Sequence, residues 1–227
     1  MPTGFRLAIF ASVLVLVFSA VTATASTADK MRKTYAQVRS MRASFTQVLF
    51  HKESGSREKR SGTLSFKKPL LVRWESKAPS EELLLVGKDA IWNAFPDEEL
   101  VYKYSLDMAE DSSSLIRVIT GQARFDNDFE LEAEEREGDM IALRLFPKQP
   151  DQSLVEARLW VDATNYLIKK MRVYDFYGNE NEIAFSKQEI DIPLKDSLFT
   201  YKPPKDFIVE DMSKENAAVP RKKPLLR

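Results

Sequence analysis

Short runs of alternating apolar and polar residues recur along most of the chain, and this pattern predicts a protein built mainly from β-strands. Residues 42–50 (RASFTQVLF) are rich in β-branched and aromatic side chains, and residues 70–75 (LLVRWE) alternate. Polar turns at residues 87–89 and 96–99 separate further strands, as in antiparallel hairpins. Predicted strands also occupy residues 62–66, 82–86, 90–95, 100–104, 129–133, 140–146, 153–162, 167–177, 181–190 and 199–201.

Two segments have the period of a helix instead. In residues 27–40, Met31, Tyr35 and Val38 recur at spacings of four and three and form one apolar stripe. Residues 112–121 (SSSLIRVITG) begin with serines suited to an N-cap and end at a glycine. About ten or eleven strands with two or three short helices cannot build a parallel α/β sheet. The predicted class is therefore α+β, mainly β, with one large and strongly curved antiparallel sheet.

Several predicted strands are apolar on both faces. Leu83 and Leu85 point to one side of their strand, yet residues 84 and 86 are apolar as well. A sheet with one face in water should alternate more cleanly. Two interpretations follow: a sheet core with a helix packed outside, which needs no ligand, or a barrel-like sheet that holds an apolar ligand under a helical lid.

The amino terminus has the features of an export signal. Arg6 precedes an uncharged apolar run at residues 7–21, and Ala23 and Ala25 supply the small residues that a signal peptidase requires. The run is shorter than the roughly 20 residues of a membrane-spanning helix. We therefore expect a signal peptide over residues 1–25, cleaved after Ala25; an uncleaved anchor is the alternative. The chain has no cysteine, which excludes disulfides and a lipid anchor of its own.

Charge and residue chemistry argue against most enzymes. Lys and Arg total 34 and Asp and Glu total 34, so charge gives no reason to expect nucleic-acid binding. With no cysteine and His51 as the single histidine, a zinc site or a Cys–His nucleophile is excluded, and no G-x-S-x-G motif occurs. The acidic residues 126–137 lack the glycine that a calcium loop has at its sixth position, and they alternate like an edge strand. A glycosidase-like carboxylate pair stays open, although none stands out. We expect a binding protein without cofactor or metal.

Four segments, in order, resemble the LolA-type outer-membrane lipoprotein carriers. They are residues 40–47 (SMRASFTQ) after the first helix, the block GTL at 62–64 with KP at 68–69 and RWE at 73–75, residues 82–92, and FTYKPP at 199–204 with VED at 209–211. The resemblance runs from about residue 29 to 211. It defines an expected carrier domain over residues 26–211, followed by a basic, disordered tail over residues 212–227.

The resemblance implies both a fold and a function. The fold is an incomplete, unclosed β-barrel with short helices over its open side. Such carriers work in the periplasm, take acylated lipoproteins from an inner-membrane ABC transporter, hide the acyl chains in an apolar cavity, and hand them to an outer-membrane receptor lipoprotein. We expect a monomer that is not an enzyme. The alternatives are a carrier of another amphiphile such as a glycolipid, a sensor of mislocalised lipoproteins, and an esterase of envelope lipids, against which the lone His51 argues.

Candidate site residues follow from the strand pattern and the resemblance. The expected cavity wall consists of Phe45, Leu64, Phe66, Val72, Trp74, Leu83, Leu85 and Ile91, and the expected underside of the lid consists of Leu115, Ile116 and Ile119. Plain core packing is the alternative role for each of these residues. The family's turn before proline carries an arginine that ties lid to barrel. Lys68 occupies that position, so we expect a latch formed by Lys68, or shared with Arg73.

Overall fold

The computed structural model describes residues 26–109, 117–118, 120 and 125–213. The expected signal peptide with Ala23 and Ala25 lies outside these residues. So do the expected lid residues Leu115, Ile116 and Ile119, and the tail from residue 214 onward. Within the described ranges, no helix is both long and apolar enough to cross a membrane.

Twelve strands, one three-turn helix and a few short helical turns make up the described chain. The helix α1 spans Thr27–Gln37 and the single helical turn α2 spans Phe125–Asp128. The strands are β1 Ser40–Phe50, β2 Arg57–Lys67, β3 Leu71–Ala78, β4 Glu82–Val86, β5 Ile91–Phe95, β6 Leu100–Tyr104, β7 Phe129–Glu137, β8 Met140–Pro147, β9 Glu156–Asp162, β10 Ile168–Tyr174, β11 Glu180–Ile190 and β12 Ile208–Asp211. Short 3₁₀ helices cover Pro96–Glu98, Leu106–Ala109 and Asp196–Phe199.

All twelve strands belong to one sheet, in the order β12-β6-β5-β4-β3-β2-β1-β11-β10-β9-β8-β7. Every neighbouring pair is antiparallel except β12 with β6, which is parallel. The predicted mainly-β fold with a large, unclosed antiparallel sheet is confirmed. Two details differ. The polar residues 57–61 extend β2 because they pair with residues 46–50 of β1. A strand was expected at residues 199–201, but residues 196–199 form a 3₁₀ helix.

An N-cap fixes the start of helix α1, and one buried face of the helix packs on the sheet. The Ser26 hydroxyl accepts a hydrogen bond from the backbone N–H of Asp29 at 3.1 Å, which is an N-cap, and Asp29 places a negative charge in the first turn. The buried residues Met31 and Tyr35 form the face that packs on the sheet. The Tyr35 hydroxyl accepts a hydrogen bond from the backbone N–H of Ile168 at 3.2 Å, and burial raises the pKa of Tyr35 to about 12.

The sheet wraps around α1. Thr27 at the start of the helix bonds Glu134 on β7, while the carbonyls of Tyr35 and Ala36 near its end bond Lys68 after β2. Six interstrand spacings separate β2 from β7, which is about 29 Å on a flat sheet. From Thr27 to Ala36 the helix rises only about 14 Å. Only a curved sheet brings both strands to one short helix, so α1 defines an inner face.

The carboxyl-terminal segment covers part of the outer face. There Leu83, Leu85, Ala94 and Val101 form a buried cluster against which Tyr201 and Phe207 pack. A second outer cluster joins Leu71 to Leu194 and Phe199. The doubly apolar strands are therefore covered on both sides by the same chain: by α1 and the buried Val118 inside, and by residues 192–207 outside.

Candidate functional site

The inner face of the sheet is one continuous apolar surface. Six of the eight expected wall residues belong to its main cluster and are at most 2% exposed: Phe45, Leu64, Phe66, Val72, Trp74 and Ile91. The ring of Trp74 lies 4.2 Å from that of Phe45 and 6.4 Å from that of Phe185, measured between centroids. Trp74 thus joins β1, β3 and β11 at the centre of the inner face.

Leu83 and Leu85 do not belong to this surface. They lie in the outer cluster under the carboxyl-terminal segment. In the register of β3 with β4, Trp74 is paired with Leu84, and directly paired residues share a face. Leu84 and Val86 are therefore the inner residues of β4. The sequence held no signal for this choice, because all four positions are apolar and a one-residue shift reverses the faces.

The residues that form the other half of the inner face were not predicted from the sequence. Strands β8 to β11 contribute Leu143, Leu145, Ala157, Leu159, Val161, Ile168, Met171, Ile183 and Phe185 to the main cluster. Their alternation with polar neighbours was a usable signal, since Leu143 and Leu145 flank Arg144 and Leu159 follows Arg158. The inner face therefore extends well beyond the strands that carry the expected wall.

Lys68 holds the carboxyl-terminal end of α1. Its ammonium donates to the carbonyl oxygens of Tyr35 and of Ala36, the latter at 3.0 Å, and its backbone N–H donates to the Arg39 carbonyl at 2.9 Å. A lysine suits this position because the last carbonyls of a helix lack intrahelical partners. Burial lowers the pKa of Lys68, and the nearby Asp191 carboxylate opposes that shift.

Arg73, the expected second part of the latch, lies on the other side of the sheet. Its guanidinium contacts the Glu75 carboxylate at 3.4 Å and the Leu198 carbonyl at 3.5 Å. It therefore holds the carboxyl-terminal segment to the outer face. The two basic residues attach two different covers, Lys68 the helix inside and Arg73 the segment outside.

A cavity of about 540 Å³ opens beside the amino-terminal end of α1. It is lined by Ser26, Ala28, Phe129, Glu130, Leu131, Leu145 and Lys148. Phe129 and Leu145 are also members of the main inner cluster, so the cavity borders the covered apolar face. Its volume lies within the range of small-molecule sites.

Polar side chains occupy the end of the inner face nearest the β1–β2 hairpin. Arg60 donates to Glu58 at 2.6 Å and to Glu82 at 2.9 Å. Burial raises the pKa of Glu82, although Arg60 and the side chain of Asn93 favour the charged form. The inner face is thus apolar under α1 and polar toward this rim.

The described part of the chain assembles no cluster of metal-ligating side chains. His51 lies in the exposed β1–β2 turn. Among the residues described, no three histidine, cysteine or acidic side chains come together in a way that could hold a metal ion. What the geometry offers is an apolar surface under a helical cover.

An unclosed sheet wound around one helix, with an apolar interior, is the architecture that this chain adopts. Residues 36–202 match the family described as outer membrane lipoprotein carrier protein LolA, and the chain belongs to that family. The outer-membrane lipoprotein carrier protein of Chromobacterium violaceum is 26% identical over 183 residues, covering 81% of this chain and 86% of the relative. That of Vibrio cholerae is 25% identical over 198 residues, covering 87% and 96%. An uncharacterised conserved protein of Thermus thermophilus shares the fold, with a TM-score of 0.54, 14% identity, and coverage of 82% and 96%.

Proposed function

We propose that this protein is a periplasmic carrier that shields the acyl chains of lipoproteins released from the inner membrane and delivers them to the outer membrane. One observation carries the proposal: among the described residues, the sheet leaves its apolar inner face unclosed, and one short helix, α1, packs on that face together with Val118. Each methylene group moved from water to such a face contributes about 0.8 kcal/mol to the free energy of binding. Acyl chains of ordinary length therefore bind strongly if α1 moves away from the inner face.

Access to the inner face depends on how α1 is attached. Polar contacts at both ends hold the helix, through Thr27 to Glu134 and through Lys68 to the last turn. Between them, Met31 and Tyr35 occupy the space that cargo would take. The cavity beside Ala28 gives cargo a starting point from which α1 can be displaced. The carrier then needs no cofactor and no bond-making chemistry, since differences in affinity along the route suffice.

The partners follow from this role. We propose that an inner-membrane ABC transporter loads the protein and that an outer-membrane receptor lipoprotein accepts the cargo. The protein would act as a monomer after removal of residues 1–25, with residues 26–211 as the carrier domain. The family membership and the similarity, over most of the chain, to proteins named as outer-membrane lipoprotein carriers support this role.

Two adjacent leucines give a matched test of the inner face. Leu84 and Leu85 are both fully buried, but Leu84 lies inside and Leu85 outside. Each change to alanine should cost about 2–5 kcal/mol in the free energy of unfolding. We expect only Leu84→Ala to weaken binding of a fluorescent acyl probe to folded protein. Equal loss in both variants, or no loss in Leu84→Ala, would contradict the proposed site.

Native cargo is identified by purifying the protein from the periplasm and analysing copurifying molecules by mass spectrometry. We expect acylated lipoproteins. Recovery of a glycolipid or another amphiphile instead would assign the same inner face to a different cargo, and it would refute the lipoprotein proposal while leaving the site intact.

A further inference from the structure

The most exposed large apolar side chains of the described residues stand side by side at one tip of the molecule. Phe176 and Tyr177 lie in the turn between β10 and β11 and are 68% and 69% exposed. Their rings pack edge to face, with centroids 5.6 Å apart. Val155 nearby is 37% exposed and donates its backbone N–H to Tyr174 at the base of the turn. Two adjacent aromatic side chains held in water are unusual, and they mark an interaction surface.

The turn is built to hold these rings outward. One carboxylate oxygen of Asp175 accepts hydrogen bonds from the backbone N–H groups of Tyr177 at 2.9 Å and Asn179 at 2.8 Å. Its other oxygen accepts from the Asn179 side-chain amide at 2.8 Å. Gly178 has φ of 78°, which a residue with a side chain rarely adopts. The aromatic pair is therefore presented by an ordered turn, with little entropy left to lose on binding.

The backbone N–H groups of this tip do not need water as a hydrogen-bond partner. All five backbone N–H groups from residue 175 to 179 donate within the protein: Asp175 to the Asn179 carbonyl, Phe176 to the Gln152 carbonyl, Tyr177 and Asn179 to the Asp175 carboxylate, and Gly178 to the Asp175 carbonyl. An unpaired N–H group is costly in a medium of low polarity. This turn can enter such a medium without leaving a donor unpaired.

The neighbouring β1–β2 hairpin supports the tip. The backbone N–H of Lys52 donates to the side-chain oxygen of Asn179 at 2.9 Å, and the methylene groups of Lys52 lie beside Gly178. Lys52 is followed by Glu53, so the charges next to the tip balance. Two uncharged aromatic rings form the end of the tip, and the Asp175 carboxylate and other charged groups lie behind them, which is the arrangement of side chains at a membrane interface.

The size of the tip decides between a protein and a lipid partner. Aromatic side chains of this size bury about 150–250 Å² each. With the measured exposures, the pair would bury about 200–340 Å², whereas a stable protein interface needs about 800 Å² from each partner. Partitioning into a bilayer interface has no such threshold, because each ring contributes separately.

We infer that the β10–β11 tip is a membrane-docking site that places Phe176 and Tyr177 among the head groups of a phospholipid bilayer. Such docking would bring the inner face close to the membrane where cargo enters or leaves. That purpose rests on the proposed carrier function, but the lipid contact itself does not.

The test uses the mature chain, without cargo, and vesicles of phosphatidylcholine alone or mixed with phosphatidylglycerol. We expect weak binding in a flotation assay, and a decrease of about tenfold or more in the partition coefficient for the double change Phe176→Ser with Tyr177→Ser. Because the expected binding rests on the two uncharged rings, added salt and the phosphatidylglycerol content should change binding little. Asp175→Ala, which keeps both rings but removes their support, should also weaken binding.

The matched control is the double change Ile208→Ser with Val209→Ser. These β12 residues are 64% and 44% exposed but lie at the sheet edge, and their change should leave vesicle binding unaltered. In addition, Tyr177→Trp should be quenched by lipids brominated on the acyl chains more strongly than Ile208→Trp.

Tip-independent vesicle binding, or equal quenching at both positions, would overturn the inference. So would the absence of vesicle binding together with tip-dependent binding to a purified membrane protein, because the partner would then be a protein. Binding of the acyl probe in solution is measured separately, so failure of membrane docking is distinguishable from failure of the carrier proposal.

Discussion

Replacement of Lys68 by methionine tests whether a single ammonium holds the helical cover over the inner face. Methionine keeps an unbranched apolar stem of similar length but cannot donate a hydrogen bond. The carbonyls of Tyr35 and Ala36 would then lose a charged donor at the end of α1. Met31 and the other inner contacts of the helix would stay unchanged.

The magnitude follows from two hydrogen bonds at a half-buried site. Hydrogen bonds to charged groups contribute about 1.5–3 kcal/mol each when buried. Here water can replace the ammonium in part, so about 0.5–1 kcal/mol each is the reasonable figure, or about 1–2 kcal/mol in total. A change of that size raises the population of states with α1 released by a factor of about 5–30.

Amide hydrogen exchange of α1 measures this population directly. We expect exchange of the amides in its last two turns to accelerate by that factor in Lys68→Met, and acyl-probe association to accelerate with it. Lys68→Arg should slow exchange, because the planar guanidinium presents its donors in a fixed fork and loses less side-chain freedom for each hydrogen bond than the flexible ammonium does.

Lys67 supplies the matched control. Its ammonium donates to the Leu194 carbonyl at 3.0 Å and to Asp196 at 2.6 Å, so it holds the outer segment and not α1. Lys67→Met should leave exchange of α1 unchanged. The reasoning about the cover is refuted if Lys68→Met leaves α1 exchange as it was, or if Lys67→Met accelerates it equally.

Two further predictions concern stability. Lys67 and Lys88 lower the pKa of Asp196 from 3.8 to about 2. The ionised carboxylate therefore stabilises the fold above about pH 4, and this contribution is lost as the pH falls toward 2. The difference in the free energy of unfolding between wild type and Asp196→Asn, measured by urea unfolding, should shrink over that range, and a constant difference would contradict the prediction. Gly62→Ala should cost more than about 3 kcal/mol because its Cβ would lie 1.9 Å from the Glu75 carbonyl oxygen. In the control Gly55→Ala, nothing lies within 4 Å and only the positive φ of 67° opposes the change, at about 1–2 kcal/mol.

The fold could be predicted largely from local patterns. Helix α1 follows from the spacing of Met31 and Tyr35 after the cap at Ser26, and most strands follow from alternation. Residues 57–61 were not predicted to be a strand, because their side chains are polar. Their strand conformation comes from pairing with β1, which is a long-range effect. The parallel pairing of β12 with β6 was not predicted either, because it is also a long-range effect.

The site was predicted less completely, and β4 shows why. Its residues Leu83 to Val86 are all apolar and all buried, so neither hydropathy nor burial distinguishes the inner face from the outer face. Only the pairing of Leu84 with Trp74 does so. Where both faces of a strand are covered by the same chain, register is the deciding information, and register is set by tertiary structure.

The two covers differ in a way that bears on how cargo could enter. The outer segment is held by several ion pairs and by large buried side chains, with Asp196 bonded to two lysines and Phe199 fully buried. Helix α1 is held by hydrogen bonds through Thr27, Thr34, Tyr35 and Lys68, and a cavity already opens beside its first turn. Opening can therefore start at the first turn of α1, beside this cavity. Apolar cargo that enters this fold should displace α1 first, while residues 192–207 keep the opposite face of the sheet closed.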